Sequence, residues 1–121
     1  MTQKNCLQTA DELTSGDRND DYGHPIHDFA KTGMIAGAIL HEWAKEAARY
    51  EFPIPIPPEL WGLCMVGVKI SREVNKPKAD NLVDGCGYFR TVEMIHEYRQ
   101  QIRGGIGRGS SEAFVAAEKP E

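Results

Sequence analysis

Three groups of polar side chains in this 121-residue sequence have types and spacings that could do chemistry. The first is Arg18-Asn19-Asp20-Asp21-Tyr22-Gly23-His24-Pro25, followed by His27 and Phe29. An arginine, an aromatic ring and a glycine ahead of a helix start suit an anion lying beside a flat ring. The helix start offers free N–H groups and a positive dipole end, Arg18 a bidentate fork, and Tyr22 a stacking surface or a hydroxyl. The same residues also make a solvated turn, with Arg18 paired to Asp20 or Asp21. The second group is Lys69 and Arg72, whose spacing of three puts them on one side of a helix beside an apolar stripe. Lys69 lies within Leu63-Cys64-Met65-Val66-Gly67-Val68-Lys69-Ile70, where a paired lysine is expected rather than a solvated one. Lys76 and Lys78 follow just past that segment, where cations also complement a helix dipole. The third group is Asp80, Asn81, Asp84 and Tyr88, with Asp80, Asp84 and Tyr88 four apart on one face. A short turn joins the second and third groups, so their helices should pack antiparallel, with Lys69 and Arg72 meeting Asp80 and Asp84 in an ion-pair network. Such a network either holds the hairpin together or holds a ligand, the carboxylates on a cation or ribose hydroxyls and the bases on phosphate.

Asp80 and Asp84, with Glu42 and Glu46 four apart on another segment, are the carboxylates that a hard cation such as Mg²⁺ could use. Glu42 and Glu46 are equally placed to pair with Lys45 or Arg49 on an exposed helix face. His24, His27, His41 and His96 lack the HExxH spacing of a zinc helix and read as surface or capping residues. Cys6, Cys64 and Cys86 form neither a disulfide framework nor a CxxC pair. There is no Gly-x-Ser-x-Gly elbow, no P-loop and no dinucleotide fingerprint.

The elements that must position these groups are helices. Cys6, Leu7, Ala10 and Leu13 recur at helical spacing before a stop at Gly16, and a turn-rich loop is expected over 16–25. Pro25 suits the first turn of a long helix over about 25–50, with an apolar stripe through Phe29, Leu40 and Ala47. Gly33, Ala36 and Gly37 on that helix imply either another backbone approaching closely or a local kink. The alternating prolines of Phe52-Pro53-Ile54-Pro55-Ile56-Pro57-Pro58 rule out helix and read as a rigid extended connector. Further helices are expected over about 58–75 and 79–102. No segment alternates with period two. The fold expected is all-α: a bundle of about four helices in one domain, residues 1–103, with a Pro-rich connector. Residues 104–121 read as a flexible Gly/Ser linker and C-terminal tail, whose Ala113–Ala117 patch is otherwise a short docking helix.

The net charge of −4 disfavours gripping duplex nucleic acid, and no apolar run is long enough for a signal peptide or a membrane span. A cytoplasmic protein is expected, and a small bundle with a glycine-bearing long helix is expected to form a homo-oligomer.

Taken in order, the segments from Arg18 to Phe29, from Val68 to Arg72 and from Asp80 to Tyr88 resemble a family of small helical proteins of bacteriophages and prophages, loosely labelled MazG-like. The shared pattern is R-x-x-x-YG-x-P-x-x-x-F, then K-x-x-R, then D-N-x-x-D-x-x-GY, spread over about residues 10–98. The resemblance implies nucleotide chemistry, with Arg18, Lys69 and Arg72 on phosphate, Tyr22 or Tyr88 on the base, and Asp80 and Asp84 on ribose or a cation. Gly23 and His27 belong to the same candidate ligand site. The chain lacks the Glu-Glu-x-x-Glu run with which MazG-type pyrophosphatases hold Mg²⁺. Two functions are therefore expected as alternatives. One is a nucleotide-binding phage protein that either sequesters a phosphorylated or cyclic nucleotide signal against host defence, needing no cofactor, or cleaves a nucleoside triphosphate with Mg²⁺. The other is a protein–protein interaction module that inhibits a host defence enzyme.

Overall fold

The computed structural model describes residues 3–104, without the side chains of residues 17–19. Its fold is all-α, with helices α1 (Cys6–Ser15), α2 (Asp17–Tyr22), α3 (Pro25–Ala47), α4 (Pro58–Asn75) and α5 (Ala79–Gly104). No strand occurs among the described residues. The expected tail, apart from Gly104 at the end of α5, lies outside them.

Helix α1 begins with a capping box: Gln8 N donates to Asn5 Oδ1 and Asn5 N donates to Gln8 Oε1, each at 2.8 Å. It buries no residue and touches only α2. Helix α2 corrects the expected loop over 16–25. Its six residues favour turns by composition, and tertiary contacts hold them helical instead. The Asn75 side-chain amide donates to the Asp21 carbonyl, and Lys76 and Lys78 both reach the Asp21 carboxylate, at 3.0 and 2.7 Å. Gly23 then turns the chain with φ at +79°, a conformation that costs glycine nothing and other residues much.

Pro25 opens α3 as its fixed φ allows, and His24 is the cap, its Nδ1 accepting from Ile26 N at 3.2 Å. The helix stops at Ala47 rather than near residue 50, closed by turn hydrogen bonds from Ala48, Arg49 and Tyr50. The connector is extended, and Ile54 and Ile56 are half-buried. Helix α4 packs on both α3 and α5, whereas α3 and α5 do not touch. Both pairs are antiparallel: Lys31 reaches the carbonyl of Ser71 while Ile35 meets Gly67, and Glu59 pairs with Arg99 while Lys69 pairs with Asp84.

The close approaches lie on α4 and not at Gly33 and Gly37, where an added Cβ would meet nothing of this chain within 4 Å. At Gly62 a Cβ would fall 2.7 Å from Val92 Cγ2, and at Gly67 it would fall 2.6 Å from Ile35 Cγ2. The apolar core is small. Among the described residues the buried hydrophobic side chains are Cys64, Val66 and Val92, while sixteen large hydrophobic ones are exposed. No described helix is long and apolar enough to cross a membrane.

Gly67→Ala should lower stability by about 1–2 kcal/mol. Overpacking against the stiff, β-branched Ile35 outweighs a helix-propensity gain of up to about 1 kcal/mol. Gly33→Ala carries the same propensity gain without the clash, so its urea midpoint should match or exceed the wild type. Equal midpoints for the two variants would mean that α3 and α4 are not this close.

Candidate functional site

Helix α3 brings an unexpected residue into play. Counting from the His24 cap, Asp28 lies in the first turn, where a carboxylate suits the positive end of the dipole. The face it shares with Lys31, Ile35 and Ile39 is the one turned to α4: Lys31 Nζ donates to the Ser71 carbonyl at 3.4 Å, and Ile35 and Ile39 lie over Gly67. Asp28 is therefore only 5% exposed, and its Oδ1 has no hydrogen-bond partner.

Arg72 approaches from α4. Its guanidinium carbon lies 4.2 Å from the centroid of the Tyr22 ring, a cation–π stack of the order of 0.5–2 kcal/mol. Its Nε is buried and likewise without a partner. Thr14, Tyr22, Pro25, Asp28, Phe29 and Arg72, with Gly23 beside them, line a pocket of about 130 Å³ at the junction of α1, α2, α3 and α4. Asp28 and Arg72, each with one buried polar atom unmatched, thus line one small concavity with an aromatic ring in its wall. Native proteins rarely leave such groups unpaired, because each costs about 1–3 kcal/mol.

The remaining candidates divide among other places. Lys69, 15% exposed at its side chain, pairs with Asp84 at 2.9 Å as the apolar run around it demanded. Arg72 does not join that pair, so the expected single network of Lys69, Arg72, Asp80 and Asp84 is split between two faces of α4. Asp80 is exposed at the start of α5, and Tyr88 is half-buried on it. His27 is exposed, its ring edge-on to His24 at 6.4 Å between centroids. Arg18 lies on α2, with its side chain outside the described residues. Of the nine ligand residues expected from sequence, Tyr22, Gly23 and Arg72 meet in the pocket. Asp28 and Phe29 join them, and Asp28 was the residue missed. Its signal was a carboxylate in helical register with Ile35 and Ile39, on the face of α3 that packs on α4.

The carboxylates considered for Mg²⁺ do not converge. Glu42 pairs with Lys45 and Glu46 with Arg49, each at 3.3 Å, on α3, and that helix does not touch the α5 of Asp80 and Asp84. Among the described residues no three His, Cys, Asp or Glu side chains group as metal ligands. Two apolar grooves flank the α4–α5 hairpin. One, of about 310 Å³, runs past Ile70, Val74, Leu82 and Phe89. The other, of about 560 Å³, runs past Met94, Tyr98 and Ile102.

Beside Tyr22, the Asp21 carboxyl is held below the usual carboxylate range by hydrogen bonds from Lys78 and then Lys76, and Lys78 is raised in turn. A depressed carboxyl contributes stability that is present above its unfolded pKa and lost as pH falls through the folded value. Asp21→Asn should therefore be less stable than the wild type at neutral pH, with the gap closing near about pH 2, below the ordinary carboxylate range. Urea titrations at the two pH values measure this, and a gap of the same size at both would remove Asp21 as its source.

No curated protein and no solved structure matches the chain. A family profile does, over residues 5–97, from the capping box of α1 through most of α5 and across every residue of the pocket. The chain belongs to the family DUF6378, a domain of unknown function.

Proposed function

We propose that this is a nucleotide-binding protein whose pocket at Tyr22, Asp28 and Arg72 takes the ring of a phosphorylated nucleoside. One observation carries the reading: a guanidinium stacked on an aromatic ring borders a small pocket, and two of the residues lining it, Asp28 and Arg72, each keep a buried polar atom without a partner. A ligand that supplied both partners would recover the cost of leaving them unmade. The volume, about 130 Å³, is that of a single ring; an apolar cavity of about 150 Å³ accommodates benzene. Sugar and phosphate then lie outside. There Lys76 and Lys78 place two cations, both paired with Asp21, beside Tyr22.

Sequestration fits better than cleavage, because Asp84 is engaged by Lys69 and the glutamates of α3 stand apart from the aspartates of α5. The motif resemblance adds the setting: a phage-type protein in the bacterial cytoplasm that withholds a nucleotide signal from host defence. The protein acts as a homo-oligomer in this reading, a second copy covering the two α4–α5 grooves and supplying the apolar contacts that a core of three buried hydrophobic side chains, among the described residues, lacks. The same grooves support a second reading, an interaction module that inhibits a host defence enzyme.

Thermal shift against a nucleotide panel, followed by ion-exchange of ligand released on denaturation, tests the first reading. A bound nucleotide should raise Tm and return intact, and Arg72→Ala or Tyr22→Ala should weaken binding by about tenfold or more. If no nucleotide shifts Tm, the reading fails. Light scattering tests the oligomer. The wild type should have at least a dimer's mass, and Phe89→Glu should give a monomer that still binds nucleotide. A wild-type monomer at micromolar concentration would leave the grooves to a different protein partner.

A further inference from the structure

We infer that helix α1 of one copy docks in the α4–α5 groove of a second copy, the groove bordered by Ile70, Val74, Leu82 and Phe89, and that two copies exchange this contact reciprocally. The inference rests on the homo-oligomer proposed above and names the segment that makes it.

Helix α1 is built to form but has little to form against. Its ten residues open on a full capping box, yet a helix of that length is marginal in water unless an apolar face is covered. Cys6, Leu7, Ala10 and Leu13 recur on one side of it with no charged residue among them, and none is buried. Leu7 is 79% exposed, and α1 makes no contact with α4 or α5 of its own chain.

The groove has the complementary shape. It is a trough of about 310 Å³ between two antiparallel helices, and such a trough takes the ridge of a third helix. Its ionisable lining is already engaged: Lys69 pairs with Asp84, and Glu73 accepts from the Lys78 N–H and the Asn81 amide. What it offers a visitor is therefore apolar. Two such troughs laid face to face would enclose a void, which close-packed proteins avoid.

The folded chain does not fill its own groove. Helix α2, on which α1 rests, sits on the side of α4 marked by the Arg72–Tyr22 stack. Ile70 and Val74 stand two residues either way from Arg72, about 200° round the helix. The occupant is accordingly the α1 of another copy. Leu7, Leu13, Ile70, Val74, Leu82 and Phe89 are between 49% and 79% exposed. At about 150–200 Å² for each residue, they leave on the order of 600 Å² of apolar surface open per copy. A standard interface buries about 800 Å² on each side, roughly 65% of it apolar between identical chains, so these six residues supply that share. Reciprocal exchange closes a two-fold dimer with no open end.

Light scattering of the full chain carrying both Leu7→Glu and Leu13→Glu tests the inference. Because α1 buries nothing, the variant should keep the helical circular dichroism of the body while its mass falls from that of the wild-type oligomer to a monomer's. Should the double variant not fold, Leu7→Ala decides alone, and it should raise the dimer Kd by at least about tenfold. Mixed with Phe89→Glu, whose α1 is intact and whose groove is not, the double variant should recover a heterodimer, since one sound α1 then meets one sound groove. A monomeric double variant that does not pair on mixing would overturn the groove as the seat of α1. An α1 variant that stays as oligomeric as the wild type would overturn the inference and leave the oligomer standing through another face. A monomeric wild type would overturn both.

Discussion

Because a Cβ at Gly62 would fall 2.7 Å from Val92 and one at Gly67 would fall 2.6 Å from Ile35, α4 lies against α5 and α3 at distances that a side chain would forbid. The polar contacts of α4 with α3 and α5 take their register from that approach. With Gly67 under Ile35, the antiparallel run of α3 brings Lys31 to the Ser71 carbonyl and Asp28 to the level of Arg72. With Gly62 under Val92, the run of α5 brings Asp84 to Lys69 and Arg99 to Glu59. One helix thus places two different kinds of ionisable partner on two of its sides, and a shift of one residue in either contact would separate them.

The ionisable groups fall into those the fold has satisfied and those it has not. Asp21 and Asp84 have found cations, Glu59 pairs with Arg99 through one oxygen while its Oε1 stays unmatched, and Arg90 is clasped by Glu97 and Glu93, which raise it above the ordinary arginine value. Exposed pairs of this kind contribute little individually and have no evident need of anything more. Asp28 and Arg72 differ in lining one and the same small concavity, each with hydrogen-bonding capacity unspent. That contrast, more than any motif, separates the candidate site from the many other charged residues of the chain.

Much of the scaffold was legible in the sequence. The start of α3 at Pro25, the break at the proline-rich connector and the extents of α4 and α5 follow from proline chemistry and apolar spacing, which are local properties. The pairing of Lys69 with Asp84 was legible for a similar reason, since a short turn leaves the hairpin little choice of partner. Helix α2 was not legible, because Lys76, Lys78 and Asn75 hold it from more than fifty residues away. Nor was the site complete in sequence. Tyr22, Gly23 and Arg72 stood in recognisable clusters, but whether Arg72 turned to α5 or to α2 depended on which side of α4 each neighbour occupied. Asp28 lay between two residues that drew attention, His27 and Phe29, and only the packing of α3 gave it meaning. Within the chain, close approach requires glycine at Gly62 and Gly67 rather than at the glycines of α3.

The attachment of the N-terminal segment has a consequence for how the molecule responds to occupancy. Helix α1 rests on α2 alone, and α2 is moored to the rest by Asp21 and Tyr22. Segments with so little buried surface open at far lower free energy than the body they are tied to. Since Thr14 and Tyr22 wall the same concavity as Asp28 and Arg72, a guest held there would fasten α1 and α2 to the α3–α4 pair. By mass action part of the binding free energy would be spent on suppressing that fraying, and amide exchange would slow chiefly in α1 and α2.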